Sequence, residues 1–325
     1  MAEPLKNSYG PKVPQYIADL VGTMVPRFPR KRFLEVCHRT CRAGRAFAIS
    51  PLAILSGITE HHALSMVALR ELTIRFTSEF AIRPFLEHQP AATLAQSRQW
   101  TTHDSEHVRR LVSEGTRPHL PWGSRLRSFM ADPSAVIELL EILKDDTSEY
   151  VRRSDANNIN DIAKDHPEVV VDLARRWWLG ASEDRKRLVK NALRTLIKQG
   201  NTDAFAVIGY GPNSPLVISA SGCVPEVAAI GEKTQLSAAL KNPTDDVSRA
   251  LVDFRIDFVK ANGSTSPKVF NGAEVDVEGG ATTVVKKTIS LKVHTTRTPY
   301  AGTHDVEVLI NGDGSPLGSF ELTAD

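Results

Sequence analysis

HVRRLVSEGTRPHLPWG (residues 107–123) and YVRRSDANNINDIAKDHP (150–167) decide the fold, because the same tripeptide opens both. Val108-Arg109-Arg110 and Val151-Arg152-Arg153 lie 43 residues apart, and Val189-Lys190 follows 38 residues later. Within each step apolar residues recur at intervals of three and four, the spacing of one helix face. A step near 40 residues with helical spacing inside it predicts stacked helical repeats. Corresponding residues of stacked repeats share a face. Here that face carries Arg and Lys, which suits a phosphate backbone.

Outward from these stretches the front of the chain reads as helix after helix. IADLVGTM (17–24), RKRFLEVCHR (30–39), ALSMVALRELTIRF (63–76), VIELLEILKD (136–145) and VVVDLARRWWLG (169–180) share the pattern. Prolines and glycines punctuate them, and Pro167 is placed to start a helix. The texture changes at GYGPNSP (209–215). Beyond it PLVISAS, TQLSAALKN, ALVDFRIDFVK, TVVKKTISLKV, HDVEVLING and LGSFELT alternate apolar with polar, the period of half-buried strands. The expected fold is therefore mainly α: a HEAT-like α-α superhelix over 1–210, then a small all-β immunoglobulin-like sandwich of six or seven strands over 211–325. The tail has no Cys-Trp-Cys pattern, so an apolar core alone must hold the sandwich.

Charge divides in the same place. The whole chain is nearly neutral at +2, but the first 200 residues carry +7 and the rest −5. A basic front suits a polyanion, and equally an ordinary solvated helical surface. Three cysteines (37, 41 and 223) give no disulfide framework and suit a reducing cytoplasm. The N-terminal residues lack the apolar core of a signal peptide. No apolar run is long enough for a bilayer. The expectation is a cytoplasmic protein.

SEFAIRPFL (78–86), VRRLVSEGTRPHLPWG (108–123) and VRRSDANNINDIAKDHP (151–167) together resemble the AlkC branch of bacterial DNA alkylation repair glycosylases, relatives of the AlkD-like HEAT-repeat enzymes. The resemblance covers roughly residues 1–210, and its three motifs stand in the family's order. It implies an enzyme that cuts the N-glycosidic bond of cationic alkylated bases such as 3-methyladenine in duplex DNA. It further implies action without full base flipping, with no metal and no cofactor. The expected place of action is the nucleoid, and the expected state is a monomer. Some members carry a C-terminal immunoglobulin-like domain, thought to help enclose DNA.

Chemistry says what such a site needs. An alkylated purine is already cationic, so it leaves readily, and its departure puts positive charge on the deoxyribose. A carboxylate beside the sugar stabilises that charge. Glu79 reads from sequence as a solvated helix acid or a partner of Arg83 at i+4. Asp161 reads as a helix-end acid beside Lys164. Through the motifs both match acids the family uses, and Asp161 is the first choice as catalytic carboxylate. Asp165 is the alternative, or else a cap for the next helix. Trp122 either covers the core or packs on the sugar at the DNA; Trp100 is a second candidate, and Trp177 and Trp178 read as core and groove wall. Arg110 and Arg117 match backbone-binding positions. Arg109, Arg152, Arg153 and Lys190 are phosphate contacts by repeat register, or else solvated charges. Asp155 departs from the family pattern, which calls for an apolar or small residue there.

Weaker signals remain. Cys37 and Cys41 with His61-His62 hint at zinc without completing a tetrahedral set. In the tail Lys286, Lys287, Lys292 and Arg297 could extend a grip on DNA, against that segment's acidic sum. The alternative function is a non-catalytic protein that binds damaged or branched DNA; a protein–protein scaffold is the third.

Overall fold

A computed structural model describes residues 62–75, 77–293 and 298–324. Cys37, Cys41, His61, Arg297 and the two helices expected before residue 40 lie outside the described residues. These fall into two compact units that divide between Leu193 and Arg194.

The first unit is helical. Its elements are α1 (His62–Arg75), α2 (Arg83–His88), α3 (Pro90–Trp100), α4 (Glu106–Gly115), α5 (Arg127–Ala131), α6 (Ser134–Leu143), α7 (Glu149–Ile162), α8 (Pro167–Trp178) and α9 (Glu183–Ala192). Pro167 stands at the start of α8, where a missing N–H is harmless. α4, α7 and α9 lie side by side; α6 packs against the first two and α8 against the last two. This two-layer stack follows from the repeat. Val108, Val151 and Val189 occupy equivalent positions and are all buried. Gly115 ends α4 where a Cβ would come within 2.6 Å of Ile82 Cγ2, so only glycine lets that helix end sit on the turn before α2.

The second unit begins with α10 (Arg194–Lys198) and α11 (Thr202–Val207), short helices that pack with the strands. A Cβ on Gly312 would stand 2.8 Å from Phe205, and Asn311 Nδ2 donates to the Gly211 carbonyl at 3.0 Å. The second compact unit thus starts upstream of 210/211: these helices are helical by pattern and fall in the same unit as the strands. Eight strands follow: β1 (Val217–Val224), β2 (Val227–Ala229), β3 (Lys233–Lys241), β4 (Ser248–Val259), β5 (Thr265–Val277), β6 (Thr282–Ser290), β7 (Gly302–Ile310) and β8 (Asp313–Thr323). They form a sheet ordered β1-β3-β6 and another ordered β2-β8-β7-β4-β5. All pairs are antiparallel except β2 with β8. Between them lies an apolar core that includes Leu236, Leu240, Val252, Phe254, Ile256, Val285, Val306, Val308 and Phe320. Asn311 and Gly312, both at positive φ, make the two-residue turn between β7 and β8, as their sequence predicts. Two strands lie outside the expected segments: β2, only three residues long, and β5, an edge with Pro267 in it and a bulge against β4, both of which blur its alternation.

A histidine is fully buried against this core. His304 stacks on Phe320 at 5.0 Å; its Nδ1 accepts from the Val259 amide and its Nε2 donates to the Tyr300 carbonyl. Burial holds its pKa below the usual 6.5, although backbone carbonyls and Glu321 pull the other way. A depressed imidazole favours the fold while neutral. That stability is present above the unfolded value near 6.5 and is lost as pH falls below it. His304→Phe is expected to flatten the loss of urea resistance between about pH 7.5 and 5.5, measured by the denaturation midpoint of the second unit. An unchanged acid sensitivity would count against His304 as its source.

Candidate active site

The candidate site is a line of alternating charges. Glu79 lies in the turn before α2, which is pinned when Ser78 Oγ donates to the Leu69 carbonyl of α1 at 3.0 Å. Thr77 Oγ1 and Arg110 Nη1 both donate to Glu79 Oε2, the latter at 3.1 Å. Arg110 Nη2 stands 3.6 Å from Glu114 Oε2 one turn on. Glu114 also accepts from Ser154 Oγ at 2.6 Å and from Arg117 Nη1 at 2.7 Å. Arg117 Nε donates to Asp161 Oδ2 at 2.8 Å, and Lys164 Nζ to Asp161 Oδ1 at 2.6 Å. Three acids and three bases thus run from α2's turn across α4 to the end of α7.

The line is nearly closed to solvent. Asp161 is 1% exposed and Glu114 6%, while Lys164 remains open. Burial tends to lower the Arg117 pKa, but its bonds to Asp161 and Glu114 outweigh this and hold it above the usual value. Arg110 also lies 4.7 Å from the Tyr150 ring centroid, a cation–π contact that fixes its head. Each carboxylate accepts from two or three donors. A carboxylate offers about four lone-pair sites, so capacity remains for a water or a polarised sugar.

The structure thus brings Glu79, Arg110, Arg117 and Asp161 together. It adds Glu114, which sequence reasoning passed over. Its signal was present in RRLVSEGTR (109–117): an acid four residues after one Arg and three before another, the helical ion-pair spacing. Glu79 does not pair with Arg83. Asp165 does not cap α8, whose N-cap is His166 with no side-chain bond. It accepts instead from His119 Nε2 at 2.6 Å.

The basic repeat register has its own structure. Arg109 Nε and Nη2 donate to both oxygens of Asp146 at 2.6 and 3.0 Å, and its Nη1 to the His103 carbonyl at 2.7 Å. Arg152 repeats the pattern one step on: Nη2 pairs with Asp184 at 3.0 Å and Nη1 donates to the Asp146 carbonyl at 2.5 Å. Asp146 and Asp184 each lie five residues before the valine of the next repeat. Arg109 and Arg152, expected as phosphate contacts, tie successive repeats in this structure, their donors aimed at these acids. Lys190 holds the equivalent position on α9. Arg153 is exposed, with one bond to Glu149 at 2.7 Å on its own helix.

Trp122 is 96% exposed and has φ of +60°. A bulky residue in that region is strained, and an aromatic ring left fully in water has no core role. Trp100, the second candidate, is buried at 4% exposure and so is a packing residue. Trp177 is core, its Nε1 donating to Glu141 at 2.6 Å.

This arrangement has counterparts. A family model described as the C-terminal Ig-like domain of the uncharacterised protein YhaZ matches residues 218–324. The uncharacterised protein YhaZ of Bacillus subtilis is 40% identical over 262 residues, which is 81% of this chain and 72% of that protein. The solved Pseudomonas fluorescens alkylpurine DNA glycosylase AlkC, bound to DNA containing an abasic site analogue, is 35% identical, with a TM-score of 0.81 over 96% of this chain and 97% of that one. The chain belongs to the AlkC family. The AlkC likeness covers residues of both units, and the second unit also matches the Ig-like family model. Among the described residues no helix is long and apolar enough to cross a membrane, and no metal-binding group of His, Cys, Asp and Glu occurs.

Proposed function

We propose that this protein is a DNA glycosylase that releases cationic alkylated bases, 3-methyladenine among them, from duplex DNA without metal or cofactor. The observation that carries this is the ordered acid line, together with a fully exposed tryptophan, in a chain similar to AlkC over 96% of its length. The helical unit is read as a HEAT-like superhelix with the duplex on its basic face.

The roles follow from position. Glu79 and Asp161 stabilise the positive charge that develops on the deoxyribose and position water, with Glu114 between them. A unit charge 4 Å away at an effective dielectric near 20 is worth about 4 kcal/mol. Felt mainly in the transition state, that is about a thousandfold in rate. Trp122 packs on the sugar, its ring face favouring cationic character. Arg110 and Arg153 meet the backbone. Arg109 and Arg152 act one step removed, by setting the spacing of the helices; Lys190 is assigned there by register. Arg117 orients Asp161. The protein acts as a monomer on nucleoid DNA in the cytoplasm.

Incubating the purified protein with methylated duplex DNA is expected to release free 3-methyladenine. Trp122→Ala is expected to slow that release by about 30-fold or more, since a sugar-stacking contact is worth on the order of 2 kcal/mol. One observation favours the alternative of a non-catalytic binder: each acid already has a cationic partner, as purely structural acids would. Tight, salt-sensitive binding to methylated or branched duplex with no base released would establish that alternative.

A further inference from the structure

The Trp122 side chain is 96% exposed, so its position has to come from its backbone. Two hydrogen bonds fold the loop: the Gly123 amide donates to the Leu120 carbonyl at 3.1 Å and the Leu126 amide to the Pro118 carbonyl at 3.2 Å. Arg117 ties the front of the loop to Glu114 and Asp161. The far end, beyond Trp122, is tied by Arg83. This arginine opens α2, one turn from Glu79, and is 1% exposed. Its Nε donates to the Ser124 carbonyl at 2.8 Å, and Nη2 donates to the same oxygen. Its Nη1 donates to the Gly115 carbonyl at 3.0 Å and the Arg117 carbonyl at 2.8 Å.

These acceptors bracket the loop. Gly115 is the last residue of α4, where helix carbonyls lack intrahelical partners, and Ser124 lies two residues past Trp122. One planar guanidinium therefore fastens both ends of 115–124 to the turn that carries Glu79. No ion pair of Arg83 with a carboxylate occurs among the described residues, so its bonds serve geometry rather than charge neutralisation. A Cβ on Gly123 would stand 3.4 Å from Arg83 Nε, so the loop lies directly against the guanidinium.

We propose that Arg83 is a positioning residue that holds Trp122 in its left-handed conformation at a fixed place relative to Glu79 and Asp161. This rests on the reading of Trp122 as a DNA contact. A lysine offers a point charge with no fork and cannot span the three carbonyls.

The test uses the full chain carrying Arg83→Gln or Arg83→Lys. Amide hydrogen exchange over residues 116–126 is expected to quicken about tenfold or more, with exchange across α7 to α9 unchanged. Single-turnover release from methylated duplex is expected to slow by up to about 30-fold, the loss expected for Trp122→Ala itself, with duplex affinity held within about threefold. Adding Trp122→Ala to Arg83→Gln is expected to slow release no further than the slower single variant. That coupling separates positioning of Trp122 from general loosening. Should the Arg83 variants fail to fold, Gly123→Val keeps the Arg83 side chain but wedges the loop away from its guanidinium and from Leu120, and is expected to reproduce both effects. Wild-type exchange in the loop, or losses that multiply in the double variant, overturn the proposal. If the wild type itself releases no base, the proposed function fails, and the exchange measurement still decides whether Arg83 holds the loop.

Discussion

Asp161→Asn is expected to lower base release about a thousandfold while changing duplex affinity by no more than about threefold. The substitution keeps shape and removes the charge that would face the developing cation on the sugar. Because Asp161 is 1% exposed and bonded to both Arg117 and Lys164, the change also leaves a buried guanidinium short of its partner. Breaking such a pair costs on the order of 3 kcal/mol. The assay therefore belongs well below the melting point, with folding checked by circular dichroism. Glu79→Gln is the control: Glu79 is more exposed, and the same loss of charge carries a smaller stability penalty. A folded Asp161→Asn protein that releases base at the wild-type rate would remove Asp161 from the chemistry and leave it as a strut for Arg117.

Asp155→Val is expected to raise the melting temperature by about 5–10 °C at neutral pH, from a gain of about 2–3 kcal/mol. Asp155 is fully buried on α7, and neither carboxylate oxygen has a hydrogen-bond partner. Its repeat equivalent on α4, 43 residues earlier, is Val112, equally buried, so a valine fits the same packing position. Burial drives the Asp155 pKa well above the usual carboxylate value, with Asp146 and Glu141 adding to the rise and Lys144 opposing it. The sign follows. A carboxyl whose folded value exceeds its unfolded one near 3.9 takes up a proton on folding, so its penalty is smallest below that value and grows as pH rises. The advantage of Asp155→Val is thus expected to shrink as the melt is moved from about pH 8 to pH 4. An advantage that does not change with pH would mean that valine acts through packing alone.

The helices and the order of the two units were legible because their signals are local. Periods of 3.6 and 2 survive wherever one face is buried, as Val108 and Val151 show. β5 was not, since Pro267 and a bulge interrupt its alternation. The last two helices were legible as helices, but nothing local says that Phe205 packs beneath the β7–β8 turn. The site divides in the same way. Sequence shows that Arg109 is charged; it does not show that Asp146 waits 37 positions downstream to bind it. The link between Arg117 and Asp161 spans 44 residues, and the two were grouped only by resemblance. Glu114 could have been found, because its pairing with Arg110 and Arg117 lies within one helix. The exposure of Trp122 could not, because an Arg83 placed about forty residues earlier in the chain holds its loop.

The ties between repeats carry a consequence for biosynthesis. The carboxylate that receives Arg109 is Asp146 and the one that receives Arg152 is Asp184, each further along the chain. Each helix pair is therefore sealed by residues that leave the ribosome after it. At roughly ten residues per second, Arg109 waits about 4 s for the 37 residues to its partner. During that interval the emerging helix exposes an unfastened face, and the nascent chain is closed last at its far end rather than locked turn by turn.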